Sequence, residues 1–395
     1  MSDAIDIGEY GDDFRTDPYP VYARLRAAGP VHRVRLPPPD GAYGDVWLVV
    51  GHREARAALA DPRLVKDMEK LGIPVLDSEM IGPHMLLSDP PRHTRLRGLV
   101  GRAFTARRVE ELTPRVQEIT DDLLDAMLPR GRADLVTSFA HPLPLTVICE
   151  LLGVPAADRP RFRALSTEAV APTSEENERQ AFVGLGSYLG ELIEDKRCAG
   201  PQGDLLSDLL RVTAEDGDRL SVPELRGMAF LLLVAGHETT VNLITSAVHA
   251  LLRHPDQLAA VRAEPALVDR VVEETLRHEG PVETATYRFA AEPLEIGGTR
   301  VECGEGVLIS LAAAGRDPDR HPDPDRFDID RDPRGHLAFG HGIHHCLGAP
   351  LARVEARTAL RTLLERAPGL ALDGPAGEWL PGVLVRGVRG LPVRW

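Results

Sequence analysis

Residues 339–348, Phe-Gly-His-Gly-Ile-His-His-Cys-Leu-Gly, gather three glycines, three histidines and one cysteine. Gly340, Gly342 and Gly348 permit tight, positive-φ backbone and close approach of a flat ligand, which a Cβ would obstruct. Cys346 stands at the entry to an amphipathic pattern made by Leu351, Val354, Leu360, Leu363 and Leu364. The positive end of a helix dipole there would lower the thiol's pKa and make the thiolate available as a metal ligand. Residue types alone leave three readings open: a cofactor ligand, a zinc site drawn from His341, His344, His345 and Cys346, or a cysteine acting as a small buried hydrophobe.

A second group able to do chemistry is Glu238 with Thr239, inside Ala-Gly-His-Glu-Thr-Thr at residues 235–240. A mid-helix glycine costs up to about 1 kcal/mol, and Thr239 can turn its hydroxyl onto the carbonyl of Ala235, weakening the local ladder. A helix opened there can admit a small molecule such as dioxygen. A buried Glu238 beside a hydroxyl is expensive unless satisfied or functional, the plain alternative being a structural kink with a surface acid. His93 and Arg97 fall at i and i+4 of a leucine-patterned segment and share a face, as a solvated basic helix or as a ligand site. Glu274 and Arg277, at i and i+3, have the spacing of exposed pairs worth about 0.2–0.5 kcal/mol.

The elements that must position these groups are mainly helical. Helices are predicted over residues 18–28, 53–60, 109–128, 139–152, 178–196 and 267–278, and strands over 31–36, 46–50, 294–296 and 307–310. Ser221, Pro223 and Glu224 make a capping box that opens a long, largely buried helix ending near residue 253, before His254-Pro255. Residues 61–91 lose periodicity. Their apolar members, Leu71, Ile73, Val75, Leu76, Met80, Ile81, Leu86 and Leu87, suit a wall or lid over an apolar ligand. Residues 155–177 are weakly patterned, and residues 316–335, dense in Asp, Pro and Arg, read as an ordered meander leading into the cysteine loop. No repeat or linker divides the chain, so one domain over residues 1–395 is expected.

The net charge of −14 disfavours a nucleic-acid partner, whose phosphates it would repel. No run approaches a membrane span, and the acidic start lacks the parts of a signal peptide; a cytoplasmic protein, monomeric and without a membrane partner, is expected. Cys149, Cys198, Cys303 and Cys346 lie far apart with no C-x-x-C pair, against a disulfide framework. Between residues 90 and 109 stand six arginines and no acid. A positive patch on a negative protein suggests an acidic partner.

Phe339, Gly340, Gly342, His344, Cys346 and Gly348 match the haem-binding signature F-G-x-G-x-H-x-C-x-G residue for residue. With the other motifs in the same order over nearly the whole chain, the sequence resembles the bacterial cytochromes P-450, haem-thiolate monooxygenases. The resemblance implies an α-rich triangular prism with a small β region and haem b between the Glu238 helix and the Cys346 helix. It implies Cys346 as the haem-iron ligand, with His93, Arg97, Arg288 and His344 toward the propionates. It also implies that Glu238 relays protons, that Thr239 orders the oxygen-bound state, and that Glu274 and Arg277 form a structural network completed by Arg326. A thiolate ligand favours O–O cleavage. Electrons from NAD(P)H would arrive through a ferredoxin-type donor and its reductase, docking near the arginine-rich segment. The wording is closest to macrolide hydroxylases of antibiotic pathways. This implies hydroxylation or epoxidation of a polyketide macrolide, with Leu86, Leu87, Leu231, Ala235, Val282 and Val385 as pocket residues and Asp67, Glu69, Asp77 and Glu79 as candidates for receiving a cationic amino sugar. Alternatives are another lipophilic substrate (terpenoid, fatty acid or drug), a peroxide-driven haem enzyme, or a non-enzymatic metal or haem binding module. One departure, Gly315 where the family often has Asn, predicts loss of a local turn hydrogen bond.

Overall fold

The chain forms short strands, the longer ones rich in valine: β1 (Ile5–Asp6), β2 (Val31–Arg35), β3 (Asp45–Val49), β4 (Leu64–Val65), β5 (Arg132–Asp134), β6 (Arg288–Ala290), β7 (Leu294–Ile296), β8 (Thr299–Val301), β9 (Gly306–Ile309), β10 (Ala371–Leu372) and β11 (Pro392–Arg394). Six make one sheet in the order β1-β2-β3-β9-β6-β4. In it Val34 pairs with Val46 across antiparallel β2 and β3, and Trp47 pairs with Val307 across parallel β3 and β9. The structure, a computed structural model, describes residues 4–37, 43–72, 81–170, 174–200, 202–212, 217–380 and 382–395. The expected lid residues Ile73, Val75, Leu76 and Met80, the acids Asp77 and Glu79, and the side chain of Glu69 lie outside the described residues.

Helices build the rest: α1 (Tyr19–Ala28), α2 (His52–Ala60), α3 (Arg92–Ala103), α4 (Ala106–Met127), α5 (Pro142–Leu152), α6 (Arg159–Val170), α7 (Glu175–Ala199), α8 (Val222–Arg253), α9 (Val268–His278) and α10 (Ala349–Arg366). The mainly α fold with a small β region is as expected. Helix α8 opens on the Ser221/Glu224 capping box and packs against α5, α7, α9 and α10. It is long and apolar enough to cross a membrane by composition, but 61% of its most apolar window is buried inside the fold. It is the core helix.

Two elements differ from the sequence expectation. The weakly patterned stretch contains α6, whose buried positions include Phe162 and Ser166; an apolar stripe interrupted by a serine gives little periodic signal. The helix expected from residue 139 starts instead as a π-helical turn, Val136–Ala140, and resumes at Pro142. Proline suits a first helical turn because it needs no donor there. The turn leaves His141 between the two segments, facing α8.

Candidate active site

The cysteine loop is held by its own backbone. Cys346 N–H donates to the Phe339 carbonyl at 2.9 Å and His345 N–H to that of Gly342 at 3.1 Å. Gly340 and Gly342 have φ of +70° and +73°, and a Cβ on Gly342 would stand 2.9 Å from the Leu59 carbonyl. These two glycines let the loop turn and sit on α2. Gly348 is different: its φ is −79°, so positive φ is not its reason. Its amide and that of Ala349 donate to Cys346 Sγ. The expected fall in the thiol's pKa is corrected too, because burial pushes the Cys346 thiol up, outweighing those amides and the nearby Arg97 and Arg353 guanidiniums.

Beside this loop lies a crowd of cationic and donor groups. His93 is buried with neither ring nitrogen partnered, its ring 4.4 Å from that of His344. Arg288 is 3% exposed with Nε unpartnered. Arg97 donates to the His345 carbonyl at 2.7 Å. Sequence reasoning missed Lys66, which is buried and donates to Thr286 Oγ1, and His84, buried with Nδ1 unpartnered. Their only sequence signal was a lysine following two apolar strand residues. Burial suppresses these charges, helped at Lys66, His84 and His344 by neighbouring cations: Lys66 falls to about 7, Arg288 to about 10, His84 to about 4 and His344 to about 2. Asp89 is the acid that opposes this for Lys66 and Arg288. Buried donors that repel one another and lack partners suit an anion with several acceptor oxygens.

On α8, Thr239 Oγ1 donates to the Ala235 carbonyl at 3.1 Å, as expected, and the helix continues unbroken through it. A Cβ on Gly236 would stand 3.1 Å from Ile148 Cδ1, so the glycine lets α5 lie close against α8. Burial pushes the Glu238 carboxyl up to about 7, opposed by Arg163. At that value it holds and releases a proton near neutrality.

Leu87 and Ala235 are exposed, and Leu86, Leu231, Val282 and Val385 half-buried, although their neighbours are core residues. Val282 and Val385 pair as an isolated β-bridge, which brings the carboxy-terminal segment to the 282 turn. Residues 81–87 are tied to the first turns of α8: Arg226 Nε donates to the Ile81 carbonyl at 3.2 Å, and the Met85 amide lies 3.4 Å from Met228 Sδ. The remaining residue, Asp67, is half-buried, its amide donating to Asp89 at 2.8 Å.

Glu274 and Arg277 are buried and joined by two hydrogen bonds, of 2.7 and 2.8 Å. The expected third member is corrected. Arg326 gives Arg277 only its carbonyl, at 3.0 Å, and its side chain is exposed; the guanidinium near Glu274 is that of Arg331, 3.5 Å away. The turn after Phe327 carries Arg331 back over the carboxylate. Gly315 has a positive reason as well, since its carbonyl accepts from Arg277 at 2.8 Å and a Cβ would meet the Arg277 carbonyl at 2.3 Å.

The arginine-rich segment is partly neutralised from elsewhere in the chain. Arg95 pairs with Asp218 and Glu224, Arg107 with Glu111, and Arg108 with Asp208. Arg92 and Arg102 are exposed.

A thiol with two amide donors, next to buried cations and imidazoles without partners, fits a flat metal-bearing group with carboxylate arms. The helical fold and this donor set define a haem-thiolate protein. The chain belongs to the cytochrome P-450 family, whose profile matches residues 174–366. It is 58% identical to the cytochrome P-450 monooxygenase PikC of Streptomyces venezuelae, over 99% of this chain and 94% of that one. It is 46% identical to the 6-deoxyerythronolide B hydroxylase of Saccharopolyspora erythraea, over 97% of each. Among solved structures, the tirandamycin C-bound P-450 monooxygenase TamI superposes with a TM-score of 0.90 at 44% identity, over 99% of both chains. The protein is thus an oxygen-incorporating oxidoreductase of lipophilic substrates that uses haem iron and O2 and draws electrons from a redox partner.

Proposed function

We propose that this enzyme hydroxylates or epoxidises a polyketide macrolide in antibiotic biosynthesis. The 6-deoxyerythronolide B hydroxylase supports that substrate class, as do the six mostly apolar side chains left uncovered around α8 and the 282 and 385 segments. We further assign haem b as the cofactor, a ferredoxin and reductase fed by NAD(P)H as the electron source, and a monomeric, cytoplasmic, single-domain protein over residues 1–395.

The observation that carries the site is the set of unpartnered buried donors beside Cys346. Cys346 Sγ would hold the iron, while His93, Arg97, Arg288 and His344, joined by Lys66, would hold the propionates. Haem iron supplies dioxygen activation when bound. Glu238 delivers protons from its raised-pKa carboxyl, and Thr239, the next residue of α8, holds a hydroxyl on the Ala235 carbonyl. The apolar side chains exclude water and orient the substrate.

Three measurements test this. The carbon monoxide difference spectrum of reduced protein should be of the thiolate type. A macrolide panel should give spectral shifts and hydroxylated or epoxidised product with ferredoxin and reductase; product from fatty acids or terpenoids alone would overturn the macrolide assignment. Reversing charge at Arg102 and Arg107 together should slow reduction by the ferredoxin; unchanged, salt-insensitive kinetics would overturn docking there.

A further inference from the structure

Behind Glu238, on the side formed by α5 and α6, three ionisable side chains meet. His141 Nε2 and His237 Nε2 each lie 3.7 Å from Glu238 Oε1, and His237 Nε2 lies 3.2 Å from Ser166 Oγ on α6. His237 and Ser166 are fully buried and His141 is 7% exposed. The rings of His141 and His237 are 5.9 Å apart, edge to face.

The hydrogen bonds fix most of the protons. The Leu233 carbonyl, 2.9 Å from His237 Nδ1, can only accept, so Nδ1 carries hydrogen and Nε2 of the neutral ring carries a lone pair. Ser166 Oγ lies 3.2 Å from this lone pair and 3.2 Å from the Arg163 carbonyl, so its one hydrogen serves either acceptor. An ionised Glu238 would face that lone pair without a donor, so His237 favours the neutral acid. His141 is the exception: neither of its ring nitrogens has a protein partner. Because the π-helical turn ends at it, its ring is held against Glu238 and its amide is spent on the Val136 carbonyl, at 2.9 Å. A neutral imidazole offers one N–H and one lone pair, so it can both receive a proton and pass it on.

We propose that His141 is a positioning and proton-relay residue that reprotonates Glu238, while His237, its ring oriented by the Leu233 carbonyl, holds the carboxyl toward it. The inference rests on the proposed role of Glu238 as proton donor. In the step, His141 takes a proton from a hydronium ion, which leaves as water, when its ring swings toward solvent from the position in which both nitrogens are buried. The imidazolium then gives its Nε2 proton to the Glu238 carboxylate, leaving neutral histidine and neutral acid. The 3.7 Å gap closes by rotation of the Glu238 side chain or is bridged by one water. The transfer from imidazolium to carboxylate is downhill, and the uptake by His141 that precedes it is uphill, for the same reason: burial holds His141 and His237 down at about 4 and raises Glu238 to about 7. Arg163 on α6 is the other charge facing the group, and it lowers both Glu238 and His141.

The test uses the haem-loaded protein and its redox partners with three variants, His141→Phe, His141→Gln and Glu238→Gln. The infrared carboxylic C=O band of Glu238, identified by its loss in Glu238→Gln, should titrate near pH 7 and move upward by about one unit in His141→Phe, where a phenyl ring replaces a polar one. His141→Gln should restore the band midpoint. Both His141 variants should lower product formed per electron about tenfold and raise the solvent isotope effect, less than the roughly 10²–10⁴ expected for losing a direct acid–base group. The glutamine amide hydrogen-bonds but carries no proton. Full recovery of coupling in His141→Gln would reduce His141 to a structural role. Unchanged band, coupling and isotope effect in His141→Phe would overturn the relay while leaving Glu238 in place; normal coupling in Glu238→Gln would instead overturn the parent reading. Two imidazoles and a carboxylate with ligand atoms within 4.8 Å could also take zinc. Stoichiometric Zn2+ binding lost in both His141→Phe and Glu238→Gln would assign the cluster to metal and sink the relay.

Discussion

Lys66 shows how a single side chain shapes the cofactor cradle. It is a buried amine crowded by the Arg288 guanidinium, and burial with that repulsion brings it down to about 7. An anion placed among these groups would restore its charge. Lys66→Met should therefore speed haem loss to an acceptor protein by about tenfold or more, since a hydrogen bond to a charged group is worth about 1.5–3 kcal/mol; an unchanged rate would remove Lys66 from the cradle. Cys346→Ser should abolish the thiolate-type carbon monoxide spectrum, and its survival would overturn the ligand assignment. At Thr239, whose hydroxyl is bonded to the Ala235 carbonyl, substitution by alanine should uncouple dioxygen turnover yet leave peroxide-driven turnover intact.

At the scale of the element, α8 is shaped by glycines as much as by its apolar run. A Cβ on Gly227 would lie 2.5 Å from the Pro83 carbonyl and 2.6 Å from that of Gly82. The segment carrying Leu86 and Leu87 therefore lies directly on the helix backbone. Gly227→Ala has nowhere to put its methyl without moving that segment. It should lower stability by about 1–3 kcal/mol, as overpacking does, and raise amide exchange across residues 81–87. Denaturant melts and hydrogen exchange check this; full stability with unchanged exchange would contradict the close approach.

For the whole molecule, the Glu274–Arg277 pair ties α9 to the meander before the cysteine loop. Because the Arg326 side chain is exposed and only its carbonyl is used, Arg326→Ala should change stability by no more than about 0.5 kcal/mol. Arg331→Ala leaves the buried Glu274 carboxylate short of a cation and should cost about 1–3 kcal/mol by denaturant melts; the reverse ranking would restore Arg326 as the third member. Acid should weaken the fold as well. His84, His141 and His237 are held near 4 and His321 near 3 by burial, below the ordinary 6.5. The unfolded chain thus binds more protons as pH falls from 6.5, and stability is lost toward the folded values. Glu238 and Glu355, raised to about 7 and about 8, act in the opposite direction between those values and 4.5, but beside these four histidines stand His344, held near 2, and His278, held well below its ordinary value. Urea midpoints at pH 7.5 and 5.5 should show the lower value in acid.

What the sequence determined by itself is local. Covalent neighbours put Cys346 at a helix entry, Ser221 and Glu224 in a capping box, Thr239 one turn from Ala235, and Glu274 beside Arg277; spacing alone makes these contacts, and the resemblance was carried by the same short motifs. Tertiary structure decided what depends on remote segments. It brought Lys66 to Thr286 across 220 residues, put Arg331 in place of Arg326 beside Glu274, and set His141 against Glu238 through a π-helical turn that periodicity does not reveal. It also set the balance at the thiol: the helix-end amides were legible in the sequence, but the desolvation that outweighs them, at a residue that stays exposed, depends on remote segments.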